Sequence, residues 1–274
     1  MPIRLLSIKK IILNNASYQD AVMIQEESMV KLVIRKEVKF QNPVVIEGLP
    51  EVGLVGSIAA LYLLEQLKLD PIAYFESNLI PPVMVVHNYE LLSPIRIYGN
   101  EKYVIITSEI AIPPEIYHEL SARIISWCKS IGAQTLISLN GIPTDNRFDI
   151  EKPAVFGIAS KKSLLELLSK HKIEALQEGF IAGMYALLLK DAADADLSAI
   201  ALVAQSFVKY PDPGASVEVL NALNKILQIQ LDLSPLVEKA EEVRLKARDL
   251  MRQADQTTPY PQKTVEGELP IMYK

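Results

Sequence analysis

Short β-branched runs that alternate with helix-length amphipathic stretches predict an α/β protein, with helices covering both faces of a mixed, mainly parallel sheet in three layers. Two further observations shape that expectation. The strand-sized runs are nearly continuous in apolar residues rather than alternating, as a sheet buried on both faces requires. From Pro213 onward the strand signals stop, leaving helical periodicity and then a stretch with no core pattern. The expected organisation is therefore a core domain of residues 1–212, a C-terminal helical segment of 213–254 folded as a hairpin, and a flexible tail of 255–274.

The buried-strand runs are Val44-Val45-Ile46, Val83-Met84-Val85-Val86, Tyr103-Val104-Ile105-Ile106-Thr107, Thr135-Leu136-Ile137-Ser138-Leu139 and Ala199-Ile200-Ala201-Leu202-Val203. Between Ile72 and Thr107 strand follows strand with no room for crossover helices, which predicts an antiparallel excursion. Helices are expected over Leu54–Leu67, Pro114–Ile131, Lys161–Ser169 and Ile181–Asp191. In the second, Ile116, Leu120, Ile124, Trp127 and Ile131 fall on one face, Pro113-Pro114 opens it and Gly132 closes it. The most apolar helical stretch, Phe180 to Leu189, reads as a core helix. Ser216–Leu231 reads as one helix, and Ser234-Pro235 starts another with a capping Ser and a first-turn Pro. In that last helix Leu236, Ala240, Val243, Ala247, Leu250 and Ala254 step by four and three, a coiled-coil-like seam fit for a helical hairpin that contributes to oligomerisation. The tail beyond Asp255 would reach on the order of 25 Å as a coil and roughly 65 Å stretched.

Composition limits the function classes. The formal charge is −5 and the pI near 5.4, which argues against a broad phosphate-neutralising surface and so against nucleic acid as a partner. No apolar run approaches the ~18–20 residues of a membrane span. The first ten residues carry lysines after their apolar positions and no small-residue cleavage site, unlike a secretion signal. A single cysteine, Cys128, in an apolar helix is expected to be a core residue of a protein kept in a reducing compartment. These readings point to a cytoplasmic protein with no membrane partner.

Little in the chain calls for catalysis. Gly48 and Gly53 have the spacing of a phosphate-binding loop, but Leu54 and Val55 stand where its Lys and Ser/Thr belong, so the charge and the magnesium ligand are missing. The structural reading is a tight turn at Gly48 and Gly53, with Gly56 letting the helix approach the sheet; weak anion binding at the helix start is the alternative. His87, His118 and His171 are too scattered to form a local metal pair. His118 reads as a surface helix residue and His171 as a basic residue near a helix C-terminus. Thr144-Asp145-Asn146-Arg147-Phe148-Asp149 reads as a solvated loop. No catalytic, cofactor-binding or metal-binding residue is expected.

Four segments together resemble a known family: Glu47-Gly48-Leu49-Pro50-Glu51-Val52-Gly53-Leu54-Val55-Gly56, Asn140-Gly141-Ile142-Pro143-Thr144, Gly179-Phe180-Ile181-Ala182-Gly183 and Tyr210-Pro211-Asp212-Pro213-Gly214-Ala215. In order and spacing they resemble the archaeal branch of the proteasome assembly chaperones, over roughly Asn42 to Ala254. The resemblance implies a fold similar to purine nucleoside phosphorylase without its catalytic residues. It also implies a homo-oligomer, with a tetramer favoured, bearing helical C-terminal extensions. The family's tail signature is apolar-Tyr-any at the C-terminus, matched here by Met272, Tyr273 and Lys274. By that resemblance the three residues would enter pockets between proteasome α-subunits of the core particle: the Lys274 carboxylate would pair with a pocket lysine, Tyr273 would fill and hydrogen-bond, and Met272 would pack. The alternative is an enzyme of nucleoside phosphorylase or hydrolase type, with a ligand cleft at the strand C-termini near Gly48–Gly56 and Asn140–Asp149.

Overall fold

In the computed structural model, residues 29–87, 89–208 and 210–240 are described. Eleven strands and five α-helices follow one another among them as β1 Lys31–Ile34, β2 Val44–Gly48, α1 Val55–Leu67, β3 Asp70–Glu76, β4 Val85–His87, β5 Glu90–Leu92, β6 Ile95–Gly99, β7 Tyr103–Ser108, α2 Tyr117–Ser130, β8 Thr135–Pro143, β9 Val155–Ala159, α3 Ser163–Lys170, β10 Glu174–Ala175, α4 Met184–Asp194, β11 Ala199–Ser206 and α5 Pro213–Leu227. A further helical stretch covers 234–240. Nine strands form one sheet in the order β1-β3-β6-β7-β2-β8-β11-β9-β10. Its centre, β7-β2-β8-β11, is parallel throughout, while β1, β3 and β6 run antiparallel on one flank and β9 joins β11 antiparallel on the other.

The three layers follow from the pleat. Along β2, Val45 faces one core and Ile46 the other; along β7, Ile106 and Ile105 divide in the same way. On the first face α2 and α4 cover the sheet with Leu120, Ile124, Cys128, Met184 and Leu188. On the second, α1 and α5 cover it with Ala59, Leu63, Val219, Leu220 and Leu223, and Leu168 of α3 joins them. Both faces of the central strands are therefore dry, which is why their sequences are continuous rather than alternating. The α1 helix sits especially close to the sheet: a Cβ on Gly48 would meet the Gly56 carbonyl, and one on Gly56 would meet the Leu139 carbonyl. Gly56 thus has the close-packing role read for it, while Gly48, read as a turn residue, serves the same close approach and only Gly53 of the three takes the positive φ of a turn. Cys128 is fully buried, and burial pushes its thiol up to about 12, so it packs as a small apolar group. His118 is exposed on α2 and His171 forms the C-cap of α3.

Four expectations are corrected. Val83–Val86 is not a buried strand: β4 starts at Val85, pairs only with β5 in a separate two-stranded sheet, and leaves Val83, Met84 and Val86 exposed. The core helix does not begin near Phe180, which is fully exposed. Gly183 at φ 115° breaks the helical path, and α4 starts at Met184. The helix expected from Ser216 starts at Pro213, capped by Asp212, whose carboxylate accepts from the Ala215 amide at 2.9 Å. Its buried residues Ala215, Val217, Val219, Leu220 and Leu223 place α5 against the sheet. The loop 144–149 is not simply solvated, because Arg147 is buried at its centre. The expected seam beyond Ala240 and the tail fall outside the described residues.

Candidate functional site

The four motif segments lie far apart in sequence, and the fold brings them to one place. Strand order reverses around β2, with β7 on one side and β8 on the other. Such a reversal opens a crevice at the carboxyl ends of the parallel strands. Glu47 and Glu51 follow from β2, Asn140 lies on β8, Gly183 and Met184 open α4, and Asp212 caps α5 beyond β11.

Glu51 is the connector. One carboxylate oxygen accepts from the Met184 amide at 2.6 Å and the other from the Asn140 side-chain amide. Asn140 in turn accepts from the Gly141 amide at 2.8 Å, which fixes the direction of its own amide group. A carboxylate at a helix N-terminus satisfies an orphan donor and the positive end of the dipole together. The site requires glycine at 183, since a Cβ there would fall on the Glu51 carboxylate and φ is positive. Burial holds the Glu51 carboxyl above its usual range, opposed by the bonds from Met184 and Asn140.

Glu47 sits deeper, inside the sheet, with no exposure. Its Oε1 accepts from the Leu49 amide at 2.7 Å, while Oε2 has no partner at hydrogen-bonding geometry; the nearby Ser138 hydroxyl nevertheless favours the ionised form. Burial above all, and then the charge of Glu51, raises its carboxyl from 4.5 to about 8. Glu47 is therefore a neutral acid at pH 7 beside a second carboxyl group. Tyr117 and Tyr185 lie near the pair, their phenols held above the usual range by burial and then by Glu51.

A second knot joins the remaining motif. Arg147 and Asp212 form a two-pronged ion pair, Nε to Oδ2 at 2.8 Å and Nη2 to Oδ1 at 3.0 Å, with side chains only 4% and 2% exposed. Asp212 also accepts from the amides of Phe207 and Ala215, and its own amide donates to the Gly53 carbonyl at 2.8 Å. Arg147 donates to the Ile150 carbonyl at 2.6 Å and lies over the Phe207 ring. Thus the β2–α1 loop is tied to β8 and α4 through Glu51, and to α5 through Asp212.

These contacts lock elements together, and they set an electrostatic sign. The Gly48–Gly56 loop carries one carboxyl group, Glu51, and no cation, so it supplies no positive charge for a phosphate. Among the described residues no group of three or more His, Cys, Asp or Glu side chains is placed to hold a metal ion, and no helix is long and apolar enough to cross a membrane. Sequence reading passed over Glu47, Glu51, Arg147 and Asp212 as a set. The available signal was Glu47, an acid continuing the apolar run Val44-Val45-Ile46, because a buried charge needs a reason. The expected partner-binding residues Met272, Tyr273 and Lys274 lie outside the described residues.

Comparison with known proteins agrees with this architecture. The PAC2 family matches residues 45–251. An uncharacterized protein of Methanocaldococcus jannaschii is 32% identical, covering 81% of this chain and 91% of its own length. Among solved structures, Pyrococcus furiosus PbaA, described as an archaeal homolog of proteasome-assembly chaperone, is 32% identical with a TM-score of 0.74, over 83% of this chain and 93% of that one. P. furiosus PbaB, described as an archaeal proteasome activator, shares the fold at 23% identity and a TM-score of 0.73, over 83% and 99% of the two chains. A match running from β2 past the last described helix, joined to a relative similar over most of both lengths, makes this chain a member of the PAC2 family.

Proposed function

We propose that this protein is a non-enzymatic, homo-oligomeric proteasome assembly chaperone that docks its C-terminal tail between proteasome α-subunits and promotes core-particle assembly. The observation that carries the reading is the similarity to PbaA, 32% identical over 83% of this chain. In this reading residues 1–212 form the core, 213–254 a helical segment and 255–274 a tail that presents Met272, Tyr273 and the Lys274 carboxylate. One such tripeptide binds weakly, and several on one oligomer raise the effective concentration by orders of magnitude.

The motif residues support a structural rather than a catalytic role. Glu51 and Asp212 spend their oxygens on amides and on Asn140 and Arg147. A phosphorylase-like enzyme would need a phosphate site where this loop presents Glu51 and no cation. The test is a pull-down of α-subunits and assembled core particle with the full chain and with a version ending at Ile271. Binding is expected to the full chain and to fall at least tenfold on truncation, with the melting temperature unchanged. Equal binding by both versions overturns tail docking, and binding by neither overturns the proteasome reading.

A further inference from the structure

We infer that the segment just before β1 turns back on its own chain, residues 21–28 lying along the groove beside β1 and closing it. The groove, of about 710 Å³, runs between β1 and the loop after β3. Met29, Leu79, Val83 and Met84 line it and are 43–55% exposed, a strip of large apolar side chains left half in water. β1 is also the outermost strand of its sheet, so its outer edge has no strand partner among the described residues. An open edge beside an apolar groove is a surface that soluble proteins cover.

Position selects the occupant. The amides of Met29 and Val30 donate to the two oxygens of one carboxylate, Glu119 on α2, each at 3.0 Å, and Val30 is fully buried. The chain therefore enters β1 along a fixed path, and Met29, to which residue 28 is joined, is itself part of the groove wall. Just upstream stands an apolar run, Ala21-Val22-Met23-Ile24. Five residue steps separate Ile24 from Met29, at most ~17 Å of chain, so the run stays within reach of the groove. A tether this short gives an effective concentration on the order of millimolar. A second copy or any other weakly charged partner at micromolar concentration needs about a thousandfold greater affinity to displace it. The C-terminal residues start farther away. Helix 234–240 lies beside α5, which packs on α1 and β11, and β11 stands six places from β1 in the sheet, ~29 Å at the usual strand spacing.

Charge agrees with position. Lys31 and Arg35 line the groove against a single acid, Glu76, and neither cation joins an ion pair among the described residues. Glu26 and Glu27 stand between the apolar run and β1, where two carboxylates meet that excess of positive charge while the run covers Leu79, Val83 and Met84.

Cys128 is the only cysteine and is fully buried, so an engineered pair reports without interference. Under air oxidation, the full chain carrying Met23→Cys and Met84→Cys should form a disulfide within one chain, at a rate independent of protein concentration. That rate should be at least tenfold faster than for Met23→Cys with Leu61→Cys, Leu61 being exposed on α1. Crosslinked dimers in place of crosslinked monomers overturn the inference and assign the groove to a second copy. Equal rates for the two pairs overturn it as the mark of a segment that docks nowhere. A second reading uses no cysteine. Val22→Glu with Ile24→Glu leaves every residue of β1–α5 unchanged, and the groove amides of 77–80, 83 and 84 should then exchange hydrogen at least tenfold faster than in the wild type. Unchanged exchange overturns the inference. Neither measurement involves a proteasome or an oligomer, so a failure here leaves the proposed function standing.

Discussion

Asp212→Ala is expected to destabilise the fold by roughly 3–5 kcal/mol, the cost of leaving a buried charge without its partner. In a domain of this size that corresponds to a fall in melting temperature of about 10 °C or more. Three losses coincide. The Arg147 guanidinium keeps the Ile150 carbonyl and the Phe207 ring but loses both prongs of its ion pair. The α5 helix loses its cap, worth about 1 kcal/mol. The Phe207 amide loses its acceptor inside the core. Asp212→Asn separates these effects, since its side-chain oxygen can still accept from the Ala215 amide while the charge is gone. It should be less damaging than Asp212→Ala, and Arg147→Met added to Asp212→Asn should recover part of the loss by removing the stranded cation. Urea denaturation of the four proteins measures all of this. A loss below about 1 kcal/mol for Asp212→Ala would show that the pair is not the clamp between the 144–149 loop and α5.

Arg147 also shows where sequence reading stops. The segment Thr144-Asp145-Asn146-Arg147-Phe148-Asp149 has the composition of a solvated loop, and most of it is exposed or half-buried. Only the arrival of Asp212, brought by β11 and its turn, makes Arg147 a buried anchor. By contrast β2, β7, β8, β11 and α2 were legible because a dry, two-faced sheet leaves continuous apolar runs and a helix leaves a stripe. Val83-Met84-Val85-Val86 carries the same signature as those strands but lies on an exposed hairpin, since periodicity reports apolarity and not what covers it. The strand β9, Val155–Ala159, escaped notice because it is short and has Gly157 at its centre, where the Leu168 side chain packs. Both Asp212 and Ser216 are plausible caps, and the following Pro213 at the first helical position favours the former.

The convergence of the four motifs bears on what the motifs are for. As isolated strings they resemble ligand loops: a Gly-rich turn, an Asn-Gly-Ile-Pro strand end, a Gly-flanked helix start and a Pro-Asp-Pro cap. In the fold, Glu51 meets the Met184 amide and Asn140, Asn140 meets the Gly141 amide, and Asp212 meets the Phe207 and Ala215 amides and Arg147. Their shared work is to fix three helix starts, α1, α4 and α5, at one edge of the sheet. A rigid edge of this kind accounts for the motif contacts as a structural clamp between the β2–α1 loop, α4 and α5.

Between pH 4.5 and 8 this protein is expected to lose stability as pH rises, and Glu47→Gln is expected to abolish most of that loss. The Glu47 carboxyl is raised from 4.5 to about 8 by burial and then by Glu51. The folded chain therefore holds a proton that the unfolded chain releases above pH 4.5, so the contribution is greatest below that pH. It declines by about 1.4 kcal/mol per pH unit and levels off above pH 8. The whole excursion is on the order of 5 kcal/mol. Glu51 is also raised and works in the same direction. Asp196 is lowered by its hydrogen bond from Lys161, and Asp232 by the Ser234 amide; they act with the opposite sign and at lower pH, so they leave this window to the buried acids. Glu47→Gln keeps a neutral group of the same shape and an acceptor for the Leu49 amide, and removes the ionisation. Denaturation midpoints measured from pH 5 to 9 should therefore diverge, with the variant flatter and more stable than the wild type at pH 8 by several kcal/mol. Parallel curves for the two proteins would mean that Glu47 is already ionised at neutral pH, and that a group beside its unpartnered oxygen compensates the charge.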